Sequence, residues 1–599
     1  MRVPIVSWIR TYPLRYLGAD ILAGVVVAAL AMPQALGYAG IAGVPVLVGL
    51  YSIPLALLGY AIFGSSPRLV VGPVSTVSVL SGSLIADLAK GDPAKAVAFT
   101  SALALSAGLV LIIGGLFKLG WAAEFMSRPI VTGFVFGLVL LIILGEIPSL
   151  LGMPPVSGDV FTRVWQILTQ IGDIKPLTAA IGIGALTILF LGARFAPRIP
   201  WGLLVLIVAI VASSTFDLAG RGVVTVGTVP TGLPAIGLPG VGVGDMAGII
   251  TGGLALAMVG LAEGVSAARL LAARGGYTVD TDQELIATGA ANMGSGIFGG
   301  MGVAGSLSKT AAAERAGSKT QVTGLAAAAI VILALIALAG ALSPLPRAVL
   351  SAIVIQAVWG LMDVSALKHY RLVRRNDFTS SLAALVGVLL FGPLYGLLAA
   401  VGLAVLGLVY RSSRIDMEIM GKVPDEKAAW GSIRGHPERK TYDGLLVIRL
   451  DAPLFWANAT QIADGVLAEA AATPDLRAVL LDMEATSQLD TTSVDALELI
   501  LTRLEQQGVA LYLVRVFYQA RLVLKRSGFL DQLGEGRMWH SISAGSRAAR
   551  KEFGIEGKSH AQVDEEDNGD DDRIAADDDG EEPAGYIDPD VRPRKWWQH

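Results

Sequence analysis

A short segment rich in glycine and hydroxyl side chains occurs twice in this sequence, each time within a long apolar stretch. Residues 72–78 read GPVSTVS, residues 302–308 read GVAGSLS, and Lys309 follows the second copy directly. A glycine-rich break that restarts a helix leaves the first N–H groups of the new helix unpaired, with a partial charge of about +0.5. Two such helix ends facing each other at the middle of a membrane would form an anion site. The repeated segment therefore predicts transport as the function class and a negatively charged substrate.

Glu263 is a second residue with chemistry of its own, because it lies within the apolar stretch 254–264. An ionisable group inside a membrane span is costly, and it indicates ion coordination or proton transfer by default. The alternative is that Glu263 only neutralises Lys309 across the protein and carries no ion.

The residues of the second segment also have structural interpretations. Lys309 could extend to the cytoplasmic interface, since Arg315 and Lys319 follow closely. Ser306 and Ser308 could serve only to permit close helix packing, as small residues do in membranes. The sequence leaves these alternatives open.

Composition favours a membrane protein and excludes several kinds of chemistry. Hydrophobic residues make up 53% of the chain and charged residues 16%, against about 25% charged residues in soluble domains. The absence of cysteine excludes disulfides, thiolate metal sites and cysteine nucleophiles. The five histidines are scattered, and neither a phosphate-binding loop for ATP nor a nucleophile–base arrangement is evident. We therefore expect no enzyme, no catalytic residue, no cofactor, no metal and no nucleic-acid partner.

The apolar stretches predict fourteen membrane spans, counted at ~20 residues each with some of them broken. They cover residues 21–39, 45–63, 74–88, 94–117, 129–145, 177–193, 201–216, 246–273, 284–299, 304–313, 318–342, 346–362, 378–391 and 394–410. Lysine and arginine recur in every second loop, which predicts cytoplasmic N- and C-termini. Seven spans per half force the halves into opposite orientations, an inverted repeat. We expect a multi-pass protein of the cell's inner (plasma) membrane, with the lipid bilayer as a partner and no cleavable signal peptide.

After Arg414 the pattern changes to short strands alternating with helices, which indicates a small α/β domain. We place the transmembrane domain at residues 1–414, a linker at 415–442, the α/β domain at 443–555 and a disordered acidic tail at 556–599. The predicted fold class is thus an all-α polytopic membrane domain with two broken half-helices, followed by a cytoplasmic α/β domain.

Several motifs spread along the chain resemble those of one family. They are AMPQALGYA at 31–39, FGSS at 63–66, VGP at 71–73, QELIA at 283–287, GIFGG at 296–300 and DAPLFWANA at 451–459. Together they resemble the sulfate permease (SulP) family of anion transporters, which ends in a STAS domain. The resemblance runs from about residue 12 to residue 547.

The resemblance implies a core (spans one to four and eight to eleven) that moves against a gate (spans five to seven and twelve to fourteen). It also implies a homodimer, in which the STAS domain serves dimer contact and regulation. The side chains expected to face the substrate are Gln34, Tyr38, Val74, Ser75, Thr76, Ser306, Leu307, Ser308 and Lys309. Gln34 offers an amide donor, although it could instead be a packing residue bonded to a neighbouring backbone. The family often has arginine where this chain has Lys309, so planar two-point recognition of a carboxylate is less assured here.

Glu263 resembles an acid at the coupling-ion site of relatives. A sodium-coupled relative would be expected to offer a hydroxyl where this chain has Ala267, although the adjacent Ser266 could substitute. This departure favours a coupling proton over sodium.

Relatives of the STAS domain in bacterial regulators carry a phosphorylatable residue at the start of the central helix, where this chain has Thr492 and Ser493. Phosphate beside a helix N-terminus is electrostatically favourable. The interpretation that we favour is that Thr492 caps this helix, with Asp495 completing a capping-box-like pattern.

These observations predict a secondary active, proton-coupled transporter of small anions. We expect a sulfate-type inorganic anion first, with bicarbonate, a dicarboxylate or chloride as alternatives that the sequence does not separate. Two other function classes remain: an uncoupled anion channel and a membrane anion sensor signalling through the STAS domain.

Overall fold

The computed structural model describes residues 4–89, 92–121, 127–156, 158–196, 199–227, 232–234, 236–337, 339–414, 417–424, 426 and 429–555. The described residues form two compact units, which meet between Val405 and Leu406 in the sequence. The expected acidic tail at 556–599 lies outside the described residues.

The first unit is built almost entirely of helices. Their bounds are α1 Pro4–Arg10, α2 Leu17–Ile41, α3 Val46–Tyr51, α4 Pro54–Phe63, α5 Ser75–Ala89, α6 Pro93–Leu116, α7 Arg128–Leu151, α8 Val160–Thr169, α9 Pro176–Phe195, α10 Trp201–Thr215, α11 Met246–Gly275, α12 Thr281–Ile297, α13 Leu307–Arg315, α14 Val322–Ala337, α15 Arg347–Trp359, α16 Val364–Val373 and α17 Arg375–Ser413. Proline occupies the first or second position of α4, α6, α7 and α9, where its missing N–H costs nothing. Each of the fourteen predicted spans coincides with one of these helices, with the pair α3–α4, or with one half of α17.

Seven helical stretches are long and apolar enough to cross a membrane, and four shorter apolar helices accompany them among the described residues. The shorter helices include α5, which follows the first of the two predicted breaks. An α-helix can cross the lipid bilayer because it satisfies the hydrogen bonds of its own backbone. A multi-pass membrane unit is therefore the architecture of this part of the chain.

Two groups of helices pack among themselves. In the first, α12 packs on α4 and α6, α14 packs on α2 and α4, and α11 packs on α6; we name α2–α6 and α11–α14 the core bundle. In the second, α15 packs on α7 and α9, and α9 also packs on α10; we name α7, α9, α10 and α15 the gate bundle. Glycine permits close approach of α6 and α12 in the core bundle, since a Cβ at Gly108 or at Gly289 would lie 2.8 Å from the other residue's carbonyl oxygen.

The long helix α17 is two helices joined at a sharp turn. Gly392 has φ 79° and ψ 174° and is followed by Pro393, a conformation that only glycine adopts without strain. The halves fold back on each other, because a Cβ at Gly396 would come within 2.6 Å of the Val388 backbone. The turn separates the two predicted spans 378–391 and 394–410.

The membrane unit is not purely helical, because the two predicted breaks pair with each other. Strand β1, Val71–Gly72, lies antiparallel to strand β2, Ala304–Gly305. This ladder gives backbone groups exposed by the breaks hydrogen-bond partners at membrane depth, where water is not available to them. It also brings the repeated segments into contact.

The second unit contains a six-stranded sheet. Its strands are β3 Met417–Lys422, β4 Trp430–Ser432, β5 Leu445–Leu450, β6 Ala478–Asp482, β7 Ala510–Val514 and β8 Met538–Trp539. They lie in the order β4-β3-β5-β6-β7-β8, with β5 to β8 parallel and β3 antiparallel to both neighbours. The helices are α18 Ala459–Ala472, α19 Thr491–Gln506, α20 Tyr518–Arg526, α21 Phe529–Leu533 and α22 Ile542–Phe553. The strands and helices predicted between residues 445 and 525 are all present.

The structure differs from the predicted linker at 415–442. Strands β3 and β4 lie in this segment, and residues 417–419 of β3 pair with residues 448–450 of β5. Five of the six residues of β5 are buried. Without β3 this strand would present an apolar open edge, which folded proteins avoid. The α/β domain therefore begins before residue 443.

Candidate functional site

The backbone of the two breaks is held by hydrogen bonds between the repeats. The Ser306 N–H donates to the Val70 carbonyl oxygen at 2.9 Å. The Val70 N–H donates to Thr310 Oγ1 at 3.0 Å, and that hydroxyl donates to the Ser306 carbonyl oxygen at 2.7 Å. Residues far apart in sequence thus fix the start of α13 against the strand that precedes α5.

Polar side chains of neighbouring helices complete this support. Asn292 acts as a strand partner for Val303: its Nδ2 donates to the Val303 carbonyl oxygen at 2.8 Å, and its Oδ1 accepts from the Val303 N–H at 2.9 Å. The Met301 N–H donates to Ser52 Oγ at 2.8 Å, and Ser295 Oγ donates to the Met301 carbonyl oxygen at 2.5 Å. No sequence pattern predicted these roles. The only indication was the presence of polar residues inside otherwise apolar segments.

The N-terminus of α13 is capped by its own hydroxyl residues. Ser306 is the N-cap, and its Oγ accepts from the Lys309 N–H at 3.4 Å and lies 3.3 Å from Ser308 Oγ. Ser306 is buried, whereas Leu307, at 47% exposure, and Ser308 are accessible. The half-helix therefore presents its first turn to an open space.

The start of α5 lies on the other side of the strand pair. Val74 directly precedes the helix, and Val74, Ser75 and Thr76 are all buried. Thr76 Oγ1 lies within hydrogen-bonding reach of the Glu263 carboxylate of α11. The start of α5 is thereby linked to α11.

Lys309 spans the gap between the two breaks. Its side chain is 1% exposed, and its Nζ donates to the carbonyl oxygen of Pro73 at 2.6 Å. Nζ also lies 5.7 Å from the centre of the Tyr38 ring, a cation–π distance. The structure thus excludes the alternative in which Lys309 extends to the interface, and its amino group lies beside both helix starts.

Glu263 faces the same cluster from α11. Its carboxylate lies beside Thr76 and interacts electrostatically with Lys309. The approach of α11 depends on glycine, because a Cβ at Gly305 would lie 2.9 Å from the Cα of Gly264. Glu263 and Lys309 therefore share one site.

The first span contributes an aromatic and an amide side chain. Tyr38 is buried, and its hydroxyl lies within reach of Ser75. Gln34 is one helical turn earlier on α2, and its Oε1 is buried without a hydrogen-bond partner among the described residues. This leaves the amide oxygen of Gln34, a hydrogen-bond acceptor, available to a ligand.

The sodium-site candidates are not brought together. Ser266 follows Glu263 by about one turn of α11 but is exposed, whereas Ala267 is completely buried. The side chain at position 267 packs in an apolar cluster with Tyr60 and Val303. The hydroxyl of Ser266 therefore does not occupy the position that Ala267 leaves without one.

The regulatory candidates of the α/β domain are arranged differently from the prediction. The N-cap of α19 is Asp490, not Thr492: Asp490 Oδ1 accepts from both the N–H and the Oγ of Ser493 at 2.8 Å. A carboxylate is the stronger acceptor for these donors. Thr492 is exposed, whereas Ser493 is completely buried.

The chemistry of the membrane site is that of an anion receptor. Two helix starts and the buried Lys309 amino group converge beside the Thr76 hydroxyl, and Glu263 is the adjacent acid. The described residues contain no group of three or more His, Asp or Glu side chains that could hold a metal ion.

Comparison with known proteins gives matches along most of the chain. The model of the sulfate permease family matches residues 17–384, and the model of the STAS domain matches residues 436–543. A probable sulfate transporter of Mycobacterium tuberculosis is 32% identical over 549 residues, covering 92% of this chain and 98% of the relative. Low affinity sulfate transporter 3 of Stylosanthes hamata is 30% identical over 578 residues, with 90% of this chain and 89% of the relative covered.

Solved structures are also similar. Murine Slc26a9, an anion transporter, matches with a TM-score of 0.87 and 22% identity over 92% of this chain and 94% of that chain. The transmembrane domain of a cyanobacterial bicarbonate transporter, BicA, matches with a TM-score of 0.58 and 25% identity, covering 65% of this chain and 98% of that chain. The first likeness confirms the predicted fold of a helical membrane domain followed by a STAS domain.

Proposed function

Because the chain belongs to the sulfate permease family, we propose that it is a secondary active transporter of small anions. Membership of a permease family also confirms that the protein is not an enzyme. The observation that carries the proposal is the Lys309 ammonium, buried between two half-helix starts and bonded to the Pro73 carbonyl. A fixed positive charge at this depth is stabilised when an anion occupies the site.

A sulfate-type inorganic anion is the substrate that we propose first. The relatives named above are called sulfate transporters, and helix N-termini suit tetrahedral oxyanions. Bicarbonate and a dicarboxylate are the alternatives, the first of them supported by the likeness to a bicarbonate transporter. The single ammonium of Lys309 does not impose the two-point geometry that would favour a carboxylate.

We propose that protons drive the transport through Glu263. This acid lies beside the anion site, and an anion bound at Lys309 offsets the positive charge that favours the ionised form of Glu263. Proton and anion should therefore bind together. The exposed Ser266 and the buried Ala267 favour this reading over sodium.

The proposed mechanism is alternating access of the core bundle against the gate bundle. Support comes from the contact between Gly37 and Val354, where a Cβ at Gly37 would lie 2.5 Å from Val354 Cγ2. This contact joins α2 to α15 near the C-terminal end of α2, while Leu307 and Ser308 remain accessible. We further propose a homodimer in the cell's inner (plasma) membrane, with both termini and the STAS domain in the cytoplasm and no nucleic-acid partner.

The test is uptake by the full-length protein in proteoliposomes. Labelled sulfate, bicarbonate and a dicarboxylate are each offered under an imposed proton gradient and then under a sodium gradient. Accumulation against the anion gradient, driven by protons, supports the proposal. Passive flux that ignores both gradients would indicate an uncoupled channel, and absence of flux for every anion would favour a sensor.

The coupling role is tested with Glu263→Gln, which imitates the protonated acid. We expect this variant to exchange labelled for unlabelled anion, because exchange moves no net proton, but to lose the stimulation by a proton gradient. Retention of full proton-driven accumulation would leave Glu263 only a structural partner of Lys309. Uptake that follows a sodium gradient and is abolished by Ser266→Ala would establish sodium as the coupling ion instead.

A further inference from the structure

Two cavities lie between the core bundle and the gate bundle, around the C-terminal end of α2. The smaller, of about 570 Å³, is lined by α5, α7, α8 and the turn at Gly392. The larger, of about 740 Å³, is lined by α2, α3, α7 and α15. Neither lining includes Lys309 or Glu263. The larger cavity nevertheless reaches Leu36 and Gly37, which lie between Gln34 and Tyr38 of the candidate site.

Glu146 of α7 stands where these cavities meet. Among the described residues, Glu146 and Gly40 are the two that line both. Ser351 of α15 lies within hydrogen-bonding reach of the Glu146 carboxylate. A carboxylate that divides two cavities on the approach to an anion site is unexpected, because its charge repels the substrate.

Other charged groups of these cavities lie nearer their rim. Arg347 is the first residue of α15, four residues before Ser351, so it lies about 6 Å further out along the helix. In the smaller cavity, Arg163 donates through Nε to the Gly158 carbonyl oxygen at 2.8 Å. Asp159 caps α8, and hydrogen bonds from Thr162 hold the pKa of Asp159 below its ordinary value.

The remaining titratable groups of the two linings are phenols, Tyr395 in the smaller cavity and Tyr51 in the larger. Phenols are neutral at physiological pH. Arg347 thus makes the outer part of the larger cavity cationic, Asp159 balances Arg163 in the smaller one, and the deeper charge is that of Glu146.

We propose that Glu146 is a charge gate on this approach: its ionised form opposes the entry of an anion, and its protonated form, hydrogen-bonded to Ser351, admits one. The proposal rests on the proposed function of anion transport. It adds a second proton-dependent group, distinct from Glu263, that acts on entry rather than on coupling. Anion entry from the side of the membrane on which these cavities open should therefore increase as the pH on that side falls.

The field at Glu146 can be measured without any transport. The chain has no cysteine, and a Cβ at Gly40 would meet nothing within 4 Å, so Gly40→Cys is a clean reporter. The full-length protein in nanodiscs is treated with anionic sulfonatoethyl and cationic trimethylammonioethyl methanethiosulfonate. The ratio of the two rates cancels the thiolate fraction. Ser149→Cys, in the lining of the larger cavity, replaces Gly40→Cys if that position does not react.

We expect Glu146→Gln to raise the anionic-to-cationic rate ratio at least ~5-fold at pH 8, because a nearby unit charge acts in opposite directions on the two reagents. The increase should vanish at low pH, where wild-type Glu146 is neutral. Asp159→Asn is the matched control, since asparagine keeps the cap of α8 while removing an exposed charge of the same cavity. An equal effect of both variants, or no effect of Glu146→Gln, would overturn the proposal.

A second measurement separates the gate from the transport function. In proteoliposomes that exchange labelled for unlabelled anion with the same pH on both sides, Glu146→Gln should flatten the dependence of the exchange rate on pH, whereas Glu263→Gln should retain it. An unchanged pH profile in Glu146→Gln, despite a changed labelling ratio, would show that the charge exists but does not gate. Absence of uptake in the wild type would refute the proposed function, and the labelling ratio would still report the charge of Glu146.

Discussion

Lys309 shows that the role of a charged residue depends on its surroundings and not on its type alone. The same side chain would be an interfacial anchor at the end of a span, whereas here it is buried and bonded to a carbonyl of the opposite repeat. A buried ammonium with one hydrogen bond leaves two donors for a ligand. Its charge, rather than its packing, should therefore dominate anion affinity.

Three substitutions of Lys309 separate charge from structure. Lys309→Ala should weaken anion binding by roughly 10- to 100-fold, the value of a hydrogen bond to a charged group. Lys309→Gln keeps a donor for the Pro73 carbonyl but no charge, and it should weaken binding nearly as much, whereas Lys309→Arg should be milder. The measurement is the anion-dependent rise of the thermal unfolding midpoint of the purified protein. Wild-type affinity in Lys309→Gln would mean that Lys309 only supports the fold.

A second prediction at the residue scale concerns the cap of α19. Asp490→Ala should destabilise the STAS domain by about 1–2 kcal/mol, whereas Thr492→Ala should change its free energy of unfolding by less than about 0.5 kcal/mol. Asp490→Asn is the control that retains a capping oxygen. Urea unfolding of the domain measures all three. Equal losses from Asp490→Ala and Thr492→Ala would restore Thr492 as the cap.

The same cap gives a pH dependence. Partial burial opposes the shift, but hydrogen bonds from Ser493 and from the Trp456 N–H lower the pKa of Asp490 below its ordinary value. A group whose pKa is lower in the folded state stabilises the fold above its ordinary pKa, about 3.9, and loses this contribution as the pH falls. The penalty of Asp490→Ala should therefore be constant near neutral pH and shrink below about pH 4.

The residues proposed for the candidate site could be chosen from the sequence, but their hydrogen-bond partners could not. The repeated segments 72–78 and 302–308 carry the signal in consecutive residues, so their position could be predicted. The bond from Lys309 to Pro73 joins residues 236 apart in sequence, and no local pattern encodes such a contact. Asp490 was missed as a cap because Asp490, Thr491, Thr492 and Ser493 are all good capping types, and only geometry decides among them.

At the scale of elements, the proposed anion site depends on how closely α11 approaches strand β2. A Cβ at Gly305 would lie 2.9 Å from the Cα of Gly264, a backbone atom that cannot rotate away. Gly305→Ala should therefore displace α11, which carries Glu263, and abolish proton-driven uptake. Gly184→Ala, in α9 with nothing within 4 Å of its Cβ, is the matched control and should transport normally. Normal coupling in Gly305→Ala would show that the spacing of α11 is not critical.

The elements also show which patterns the sequence encodes well. The predicted spans all coincide with helices, and most of them could be found because the hydropathy of a long apolar stretch is a local property. The strand pair β1–β2 and the strands β3 and β4 were not predicted, because they are short and their pairing depends on residues far along the chain. Strand β3 is the clearest case, since its sequence MEIMGK lacks the apolar alternation typical of a strand.

At the scale of the whole molecule, the chain divides into a membrane unit and a STAS unit with separate cores. The apolar clusters of the STAS unit contain only residues from 417 onward, and its sheet is complete within itself. A unit that buries its own core can fold by itself. The start of the STAS unit is therefore a physical boundary that fragments can test.

Two fragments test where that boundary lies. Residues 414–555 contain β3, which covers β5, whereas residues 443–555 leave the buried strand Leu445–Leu450 as an open edge. We expect the longer fragment to be soluble and to unfold cooperatively in urea, and the shorter one to aggregate or to unfold at a clearly lower urea midpoint, because unpaired apolar edges associate. Adding charge to the exposed edge by Val447→Lys is not a usable rescue, since this side chain is completely buried.

The informative comparison is a third fragment, 426–555, which keeps β4 but lacks β3. It should behave like 443–555, because β4 reaches the sheet only through β3. If 443–555 is as stable as 414–555, the segment 415–442 is dispensable and functions as the linker that its sequence predicts.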